Sequence, residues 1–245
     1  MENKTIIIYG FHAVDSAIIN DTENVLNLWI EKKPKNKRIQ QTIELAEKYN
    51  VSYKLVDATF LDEQVTDANH QGVAIEYKNS ESFNELYLPE ILKKENVFIL
   101  ILDGITDPHN LGACLRSANA AGVDAVIAPK DRAAGLTPTV RKIASGAEQT
   151  TPFIQVTNIS QTLKNLKDNG VWCFGLAGEA EMTLYEADFV GKVAIVMGGE
   201  EKGLRRLTRE NCDSLIKIPM KGSVESLNVS VATGVTLFEA LRQRR

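Results

Sequence analysis

Three segments in the second half of the chain hold side chains suited to gripping an anionic or hydroxyl-bearing ligand. In NLGACLR, Asn110 and Arg116 stand six residues apart, on neighbouring turns of any helix that carries them. A guanidinium is a planar, permanently charged fork for phosphate or carboxylate oxygens. The flanking Gly112, Ala113, Cys114, Ala118, Ala120 and Ala121 are small enough for that helix to pack closely. Asn110 suits a helix N-cap as well as a ligand contact. In VAIVMGGEEKGL, Gly198 and Gly199 close an apolar run and Glu200 follows at once. Paired glycines at a strand end let the backbone approach a ligand closely. In IKIPMKGSVESLNVSVATG, Ser226 and Asn228 precede a long helical pattern and suit its N-cap. Singly, each segment reads as an ordinary turn or cap. Together, three glycine- and amide-rich strand ends describe a ligand crevice at the carboxyl ends of a parallel sheet.

The elements that must position these residues alternate. VFILILD reads as a strand covered on both faces, followed by a helix over NLGACLRSANAAG. Next come DAVIAP (strand), TVRKIASGAEQ (helix), PFIQV (strand), ISQTLKNLKDNG (helix), and the strands VWCFGLAG and KVAIVMGG. A short helical GLRRLTREN, the strand SLIKIPM and a C-terminal helix NVSVATGVTLFEALRQRR complete the chain. Strands and helices at this spacing predict an α/β domain with a mainly parallel sheet. The first half reads as TIIIY (strand), FHAVDSAIIN (helix), VLNLWI (strand), RIQQTIELAEKYN (helix facing its core with Ile39, Ile43, Leu45 and Ala46), and the strands VSYKLV and GVAIEY. Between the halves, residues 78–96 carry Pro89 and many charges. This gives a domain at 1–77, a linker at 78–96 with one amphipathic turn around Leu86–Leu92, and a second domain at 97–245.

Absences narrow the chemistry. The chain has no G-x-G-x-x-G, so a nicotinamide enzyme is a distant reading, and it has no phosphate-binding Gly-Lys-Ser/Thr, HExxH or G-x-S-x-G string. His12, His70 and His109 are far apart, and Cys114, Cys173 and Cys212 form no CxxC, so neither a metal site nor a disulfide framework is expected. The 245 residues are 44% hydrophobic and 24% charged, which excludes wholesale disorder. The longest apolar run, Val97–Leu102, is far short of a bilayer span, and MENKTIIIYGFH lacks a signal-peptide core, so a cytosolic protein is expected. The net charge of −4 divides unevenly: residues 1–78 hold 9 basic and 12 acidic side chains, residues 97–245 hold 17 and 16. Basic residues gather at Lys32, Lys33, Lys35, Lys37 and Arg38, and again at Lys130, Arg132, Arg141 and Lys142. Each group reads as solvated surface or as a phosphate-binding patch.

The three segments resemble, in order and at family spacing, the signature motifs of the SpoU/TrmH branch of the SPOUT class, the knotted RNA 2′-O-methyltransferases. Asn110–Arg116 resembles motif one, Ile195–Leu204 motif two and Ile218–Gly234 motif three, all within 125 residues. YGFHAV (Tyr9–Val14) and HQGVAIE (His70–Glu76) resemble the substrate-binding domain, similar in fold to ribosomal protein L30e, that precedes the catalytic domain in many members. The pair Glu200-Glu201 departs from motif two, where a small residue often follows the glutamate; Glu200 aligns with it because it follows Gly198-Gly199.

The resemblance implies an L30e-like α/β domain followed by a SPOUT domain with a parallel sheet and a deep trefoil knot, an exception to the usual unknotted topology. It implies a homodimer, with apolar positions of Ala232–Leu241 available to pack between protomers. It also implies transfer of a methyl group from S-adenosylmethionine to a ribose 2′-hydroxyl, most closely that of a guanosine in the peptidyl-transferase loop of 23S rRNA. A tRNA enzyme of the same family and a catalytically silent RNA-binding module are the alternatives. Gly178, Gly198, Gly199, Ile218, Met220 and Leu227 are then expected to hold the cofactor, with no metal. Arg116 is the family's catalytic residue, with Asn110, Glu200, Ser226 and Asn228 orienting it and the ribose. Deprotonating an arginine at neutral pH costs about 7 kcal/mol from a reference pKa near 12.5, so two roles stand open for Arg116: proton acceptor, or grip on the substrate phosphate with stabilisation of the developing oxyanion. His109 is a further candidate base.

Overall fold

The computed structural model describes residues 5–32, 38–65, 69–78, 83, 85–199 and 203–245. The first half runs β1 (Thr5–Tyr9), α1 (Phe11–Asn20), β2 (Val25–Glu31), α2 (Ile39–Lys48), β3 (Tyr53–Val56), α3 (Ala58–Gln64) and β4 (Val73–Lys78). Then come α4 (Leu88–Leu92), β5 (Phe98–Asp103), α5 (Pro108–Ala120), β6 (Ala125–Pro129), α6 (Pro138–Ala144), β7 (Phe153–Val156) and α7 (Ile159–Asp168). The last stretch holds β8 (Trp172–Leu176), β9 (Met182–Thr183), β10 (Val193–Gly198), α8 (Arg206–Asn211), β11 (Ser214–Lys217) and α9 (Val229–Gln243). The chain forms two compact units: Met1–Ser82 with Leu136–Thr150, and Phe83–Gly135 with Thr151–Arg245.

In the first unit a four-stranded sheet has the order β1-β4-β2-β3, with β4 antiparallel to β1 and β2, and β3 parallel to β2. Helix α1 buries Phe11, Val14, Ala17 and Ile18 against Ile8, Leu28, Ile30 and Ile75. On α2, Ile39 and Ala46 are buried as the sequence predicts, whereas Ile43 and Leu45 are only half-buried. Thr42 takes the remaining core position, because its hydroxyl is satisfied by donating to Asp15 Oδ1 at 2.7 Å. Helix α3, which the sequence reading passed over, caps the opposite face with Leu61 packed near Trp29 and Val65.

The helix expected over TVRKIASGAEQ is two pieces. Thr137 caps α6 by accepting from Val140 N, Ser145 ends it in the left-handed region at φ 57°, and Ala147–Gln149 form a 3₁₀ turn. Gly146 lies so close to α1 that an added Cβ would stand 2.3 Å from Ser16 Cβ. This segment redistributes the second basic group. Arg141 is buried and pairs with buried Glu148 at 3.3 Å, while Lys142 sits over the Tyr9 ring and donates to Asn69 O. Arg141 is committed by burial, and the half-buried Lys142 is engaged by Tyr9 and Asn69. In the first group, Lys33, Lys35 and Lys37 lie outside the described residues; Lys32 pairs with Asp57 and Arg38 with Asp15.

The second unit holds a seven-stranded sheet in the order β7-β6-β5-β10-β8-β11-β9, every adjacent pair parallel. All six residues of β5 are buried, as expected of a strand covered on both faces. The strand order reverses beside β5: β6 and β7 extend to one side, β10 and β8 to the other, which places the crevice of an open parallel sheet here. The latter part of the expected linker is a core element of this unit. Leu88, Ile91 and Leu92 of α4 pack with Ile99, Ile127 and Ile154. Helices α5 and α9 touch through small side chains, with Cys114 Sγ 3.5 Å from Thr233 Oγ1. No described helix is long and apolar enough to cross a membrane.

Candidate active site

A cleft of about 500 Å³ opens at the carboxyl ends of β8, β10 and β11, within the range of small-molecule sites. Leu176, Ala177 and Gly178 form one wall, Met197, Gly198, Gly199 and Gly203 another, and Ile216, Lys217, Ile218 and Met220 a third. Glu225, Ser226, Leu227, Asn228, Val229 and Ala232 close it. All six positions expected to hold a cofactor, Gly178, Gly198, Gly199, Ile218, Met220 and Leu227, line this one cleft, as do Ser226 and Asn228. Leu176, Met197 and Ile216 read from the sequence only as apolar strand residues. Met197 and Ile216 are buried and Leu176 is half-buried, and their position at the carboxyl ends of the strands makes them part of the cleft.

The glycine wall has a steric cause. A Cβ on Gly198 would stand 2.1 Å from Gly203 C, and one on Gly199 would stand 2.9 Å from Gly104 O. Gly203 lies back against the end of β10, its N donating to Gly199 O at 3.0 Å, and Gly199 presses on Gly104 in the turn after β5. At Gly178 no atom of the described residues, its chain neighbours aside, lies within 4 Å of the Cβ position, so the backbone there is open to a ligand. Glu200, with its neighbours Glu201 and Lys202, lies outside the described residues.

Asn110 does not cap α5. The cap is Asp107, whose Oδ1 accepts from His109 N at 2.9 Å, with Pro108 in the first turn. The Pro accounts for the shift: it lacks an N–H and its fixed φ suits the first helical position, so the helix starts two residues before Asn110. The His109 amide keeps the Asp107 carboxyl below the usual carboxylate range. Asn110 is instead buried at 8% exposure, donating from Nδ2 to Asp107 Oδ2 at 3.1 Å and accepting from Asn228 Nδ2 at 3.1 Å. Asn228 is the N-cap of α9, accepting from Ser230 N at 2.9 Å and Ser230 Oγ at 2.6 Å. Capping and site assembly are therefore one role for Asn228, and its hydrogen bond to Asn110 joins the first and third segments across 118 residues of chain.

Arg116 lies on α5 with its side chain exposed, and no hydrogen bond or ion pair to it is formed among the described residues. Ser226 is exposed at the cleft mouth. His109, seven residues before Arg116 and so on the same face of α5, turns Nδ1 toward Asp107 Oδ1 at 3.2 Å. Beneath these groups, Asp103 ends β5 at 1% exposure, its Oδ2 accepting from Arg205 N at 3.1 Å and its Oδ1 3.4 Å from Arg205 Nη1. Neither Asp103 nor Arg205 stands out in the sequence, since an Asp-Gly pair is a common turn.

Two family models match the chain: the SpoU rRNA methylase family over residues 97–238, and the RNA 2′-O ribose methyltransferase substrate-binding family over residues 7–83. The chain is 49% identical over 243 residues to the 23S rRNA (guanosine-2′-O-)-methyltransferase RlmB of Shewanella oneidensis, covering 99% of both. It is 51% identical over 239 residues to the enzyme of the same name from Pectobacterium atrosepticum, covering 97% of this chain and 98% of that one. A solved RNA 2′-O ribose methyltransferase superposes with a TM-score of 0.82 at 27% identity, over 98% of this chain and 89% of the other. The match runs through all three segments and the residues that line the cleft, and the chain belongs to the SpoU rRNA methylase family.

Proposed function

We propose that this protein transfers a methyl group from S-adenosylmethionine to the ribose 2′-hydroxyl of a guanosine in 23S rRNA, in the cytoplasm, as a step of ribosome maturation. The observation that carries the reading is the near-complete identity span, about half the residues over 97–99% of the chain, with enzymes named for that reaction. The cleft fits the cofactor on its own chemistry. Apolar Leu176, Met197, Ile216, Ile218 and Leu227 suit a purine, the glycine backbones admit close approach, and Lys217 and Glu225 offer charge to an amino-acid end. Bound there, the cofactor supplies an electrophilic methyl group on a sulfonium.

The chain's own residues do the rest. Arg116 keeps its proton and grips a substrate phosphate, which sets the ribose in line and stabilises negative charge growing on the 2′-oxygen. Its exposure and its lack of a carboxylate partner among the described residues support that role over proton acceptance. Asn110 and Asn228 fix α5 against α9, Ser226 meets the ribose at the cleft mouth, and Glu200 orients Arg116. His109 takes the hydroxyl proton at Nε2, imidazole being the side-chain base suited to neutral pH. The first unit, similar in fold to ribosomal protein L30e, recognises the folded RNA; its match to a substrate-binding family supports this.

The second unit carries a deep trefoil knot. In support, β11 lies beyond β8, yet α9, which follows it, packs on α5, so residues 218–228 return across the carboxyl ends of β8 and β10. The enzyme works as a homodimer, for which the exposed stripe Val231, Val235 and Phe238 on α9 provides an apolar face. Methyl transfer from labelled cofactor to 23S rRNA and, in parallel, to total tRNA tests the reading, with the product mapped by 2′-O-methyl-sensitive cleavage. A signal at a peptidyl-transferase-loop guanosine is expected. A signal on tRNA alone overturns the substrate, and cofactor binding without transfer to either RNA overturns the enzyme.

A further inference from the structure

We propose that Asp103 and Asp107, at the two ends of the turn between β5 and α5, are positioning residues, each holding one of the other two site segments in register. Asp103 sets the turn after β10 and with it cofactor affinity; Asp107 sets Asn110 and Asn228 and with them turnover. The inference rests on the methyltransferase reading above and deepens it.

A carboxylate at 1% exposure is costly unless it is paired and hydrogen-bonded, so its presence at a strand end calls for a physical account. Asp103 receives one backbone hydrogen bond, from Arg205 N, and faces the Arg205 guanidinium with its other oxygen, which makes no hydrogen bond among the described residues. Arg205 follows directly on the Gly203-Leu204 end of the cleft's glycine wall. Its guanidinium lies over Gly104, where a Cβ would be 3.0 Å from Nη2, and Gly199 presses on Gly104 O from the other side. Asp103, Gly104, Gly199 and Arg205 therefore form one close-packed unit, and the wall cannot shift without breaking the carboxylate's pairing.

Asp107 does more than cap a helix. One oxygen takes the cap hydrogen bond from His109 N, and the other takes Asn110 Nδ2, which fixes the amide so that Asn110 Oδ1 faces Asn228. Asn228 in turn has its oxygen filled by Ser230. Every amide orientation in the chain Asp107–Asn110–Asn228–Ser230 is thereby determined, with Arg116 two turns along the same helix.

The distinguishing variants are Asp103→Asn, Asp107→Ser and Arg205→Lys. They are read by calorimetric titration with S-adenosylmethionine, by kcat and KM on 23S rRNA, and by thermal unfolding. Serine still caps a helix, but its single oxygen cannot serve both His109 N and Asn110. Asp107→Ser should therefore fold normally, bind cofactor within about twofold of the parent, and lose about 100-fold in kcat, the scale of a small misplacement of reacting groups. Asp103→Asn should weaken cofactor binding about 10-fold or more, the size of one hydrogen bond to a charged group, and Arg205→Lys, which keeps a cation facing Asp103, should retain most of the parent's affinity. Full kcat in Asp107→Ser, or unchanged cofactor affinity in Asp103→Asn, overturns the respective role. Collapse of the unfolding transition in both overturns positioning in favour of plain stability. A parent enzyme that binds cofactor but methylates no RNA sinks the functional reading instead, and the affinity of Asp103→Asn still decides its own role.

Discussion

In the proposed mechanism the chemistry turns on Arg116. It is exposed on α5 and uncommitted among the described residues, so removing it should leave fold and cofactor affinity intact. Arg116→Ala is expected to lower transfer by about 10²–10³-fold or more, with unchanged thermal unfolding. Arg116→Lys keeps charge but not the two-pronged geometry, and substantial activity in it would count against the phosphate grip. Arg141 is the opposite case: a cation spent on structure. Burial pushes the Glu148 carboxyl up while Arg141 opposes the shift. The native state then binds the Glu148 proton more tightly than the unfolded chain does, so this group's contribution to stability is present at low pH and fades as pH rises above its ordinary 4.5. Arg141→Met leaves that carboxylate unpaired and should cost about 3–5 kcal/mol at pH 8, with part of the loss recovered at pH 5; denaturant titrations at the two pH values measure it. Cys173 and Cys212 follow from burial too. Their thiols are pushed up to about 12, so they are poor nucleophiles at neutral pH.

At the scale of elements, α4 shows how a segment that reads as a tether becomes core. Its pattern, with Pro89 in the first turn and charges at Glu90, Lys93 and Lys94, reads as linker, yet Leu88, Ile91 and Leu92 at helical spacing are buried. Leu88→Ala should destabilise the second unit by about 2–3 kcal/mol, seen as a lowered midpoint in denaturant with an unchanged slope. Were α4 merely a spacer, the midpoint would not move. The β5–α5 turn shows the converse: a pair of aspartates reading as turn residues that the sheet places against two other segments.

For the whole molecule, α9 presents two faces. One packs on α5 through Thr233 and buries Leu237; the other leaves Val231, Val235 and Phe238 between 36% and 50% exposed at four- and three-residue spacing. Phe238→Glu is expected to shift the proposed homodimer to monomer in sedimentation and to lower activity with it. An unchanged sedimentation coefficient would remove α9 as the interface. Affinity for RNA should fall steeply with salt, each lost phosphate contact reducing the log–log slope by about 1.

The sequence by itself determined most strands and helices, because β-branched runs and helical periodicity are local signals. TIIIY, FHAVDSAIIN and FILILD lie where their patterns predict. It also singled out the segments holding Asn110, Arg116 and Asn228 and the Gly198-Gly199 strand end, because glycines at strand ends and amides near helix starts are local chemistry; the six positions that the resemblance implies for a cofactor come together in one cleft. What only the tertiary structure decided depends on neighbours distant in sequence. It committed Arg141 and Lys142 to packing, made Thr42 a core residue through Asp15, and moved residues 136–150 into the first compact unit. It shifted the cap of α5 from Asn110 to Asp107 and gave Asn110 a partner 118 residues away. Hydrogen bonds and burial are paid in three-dimensional contacts, so a residue's type states what it is able to do, and its neighbours in space decide which of those things it does.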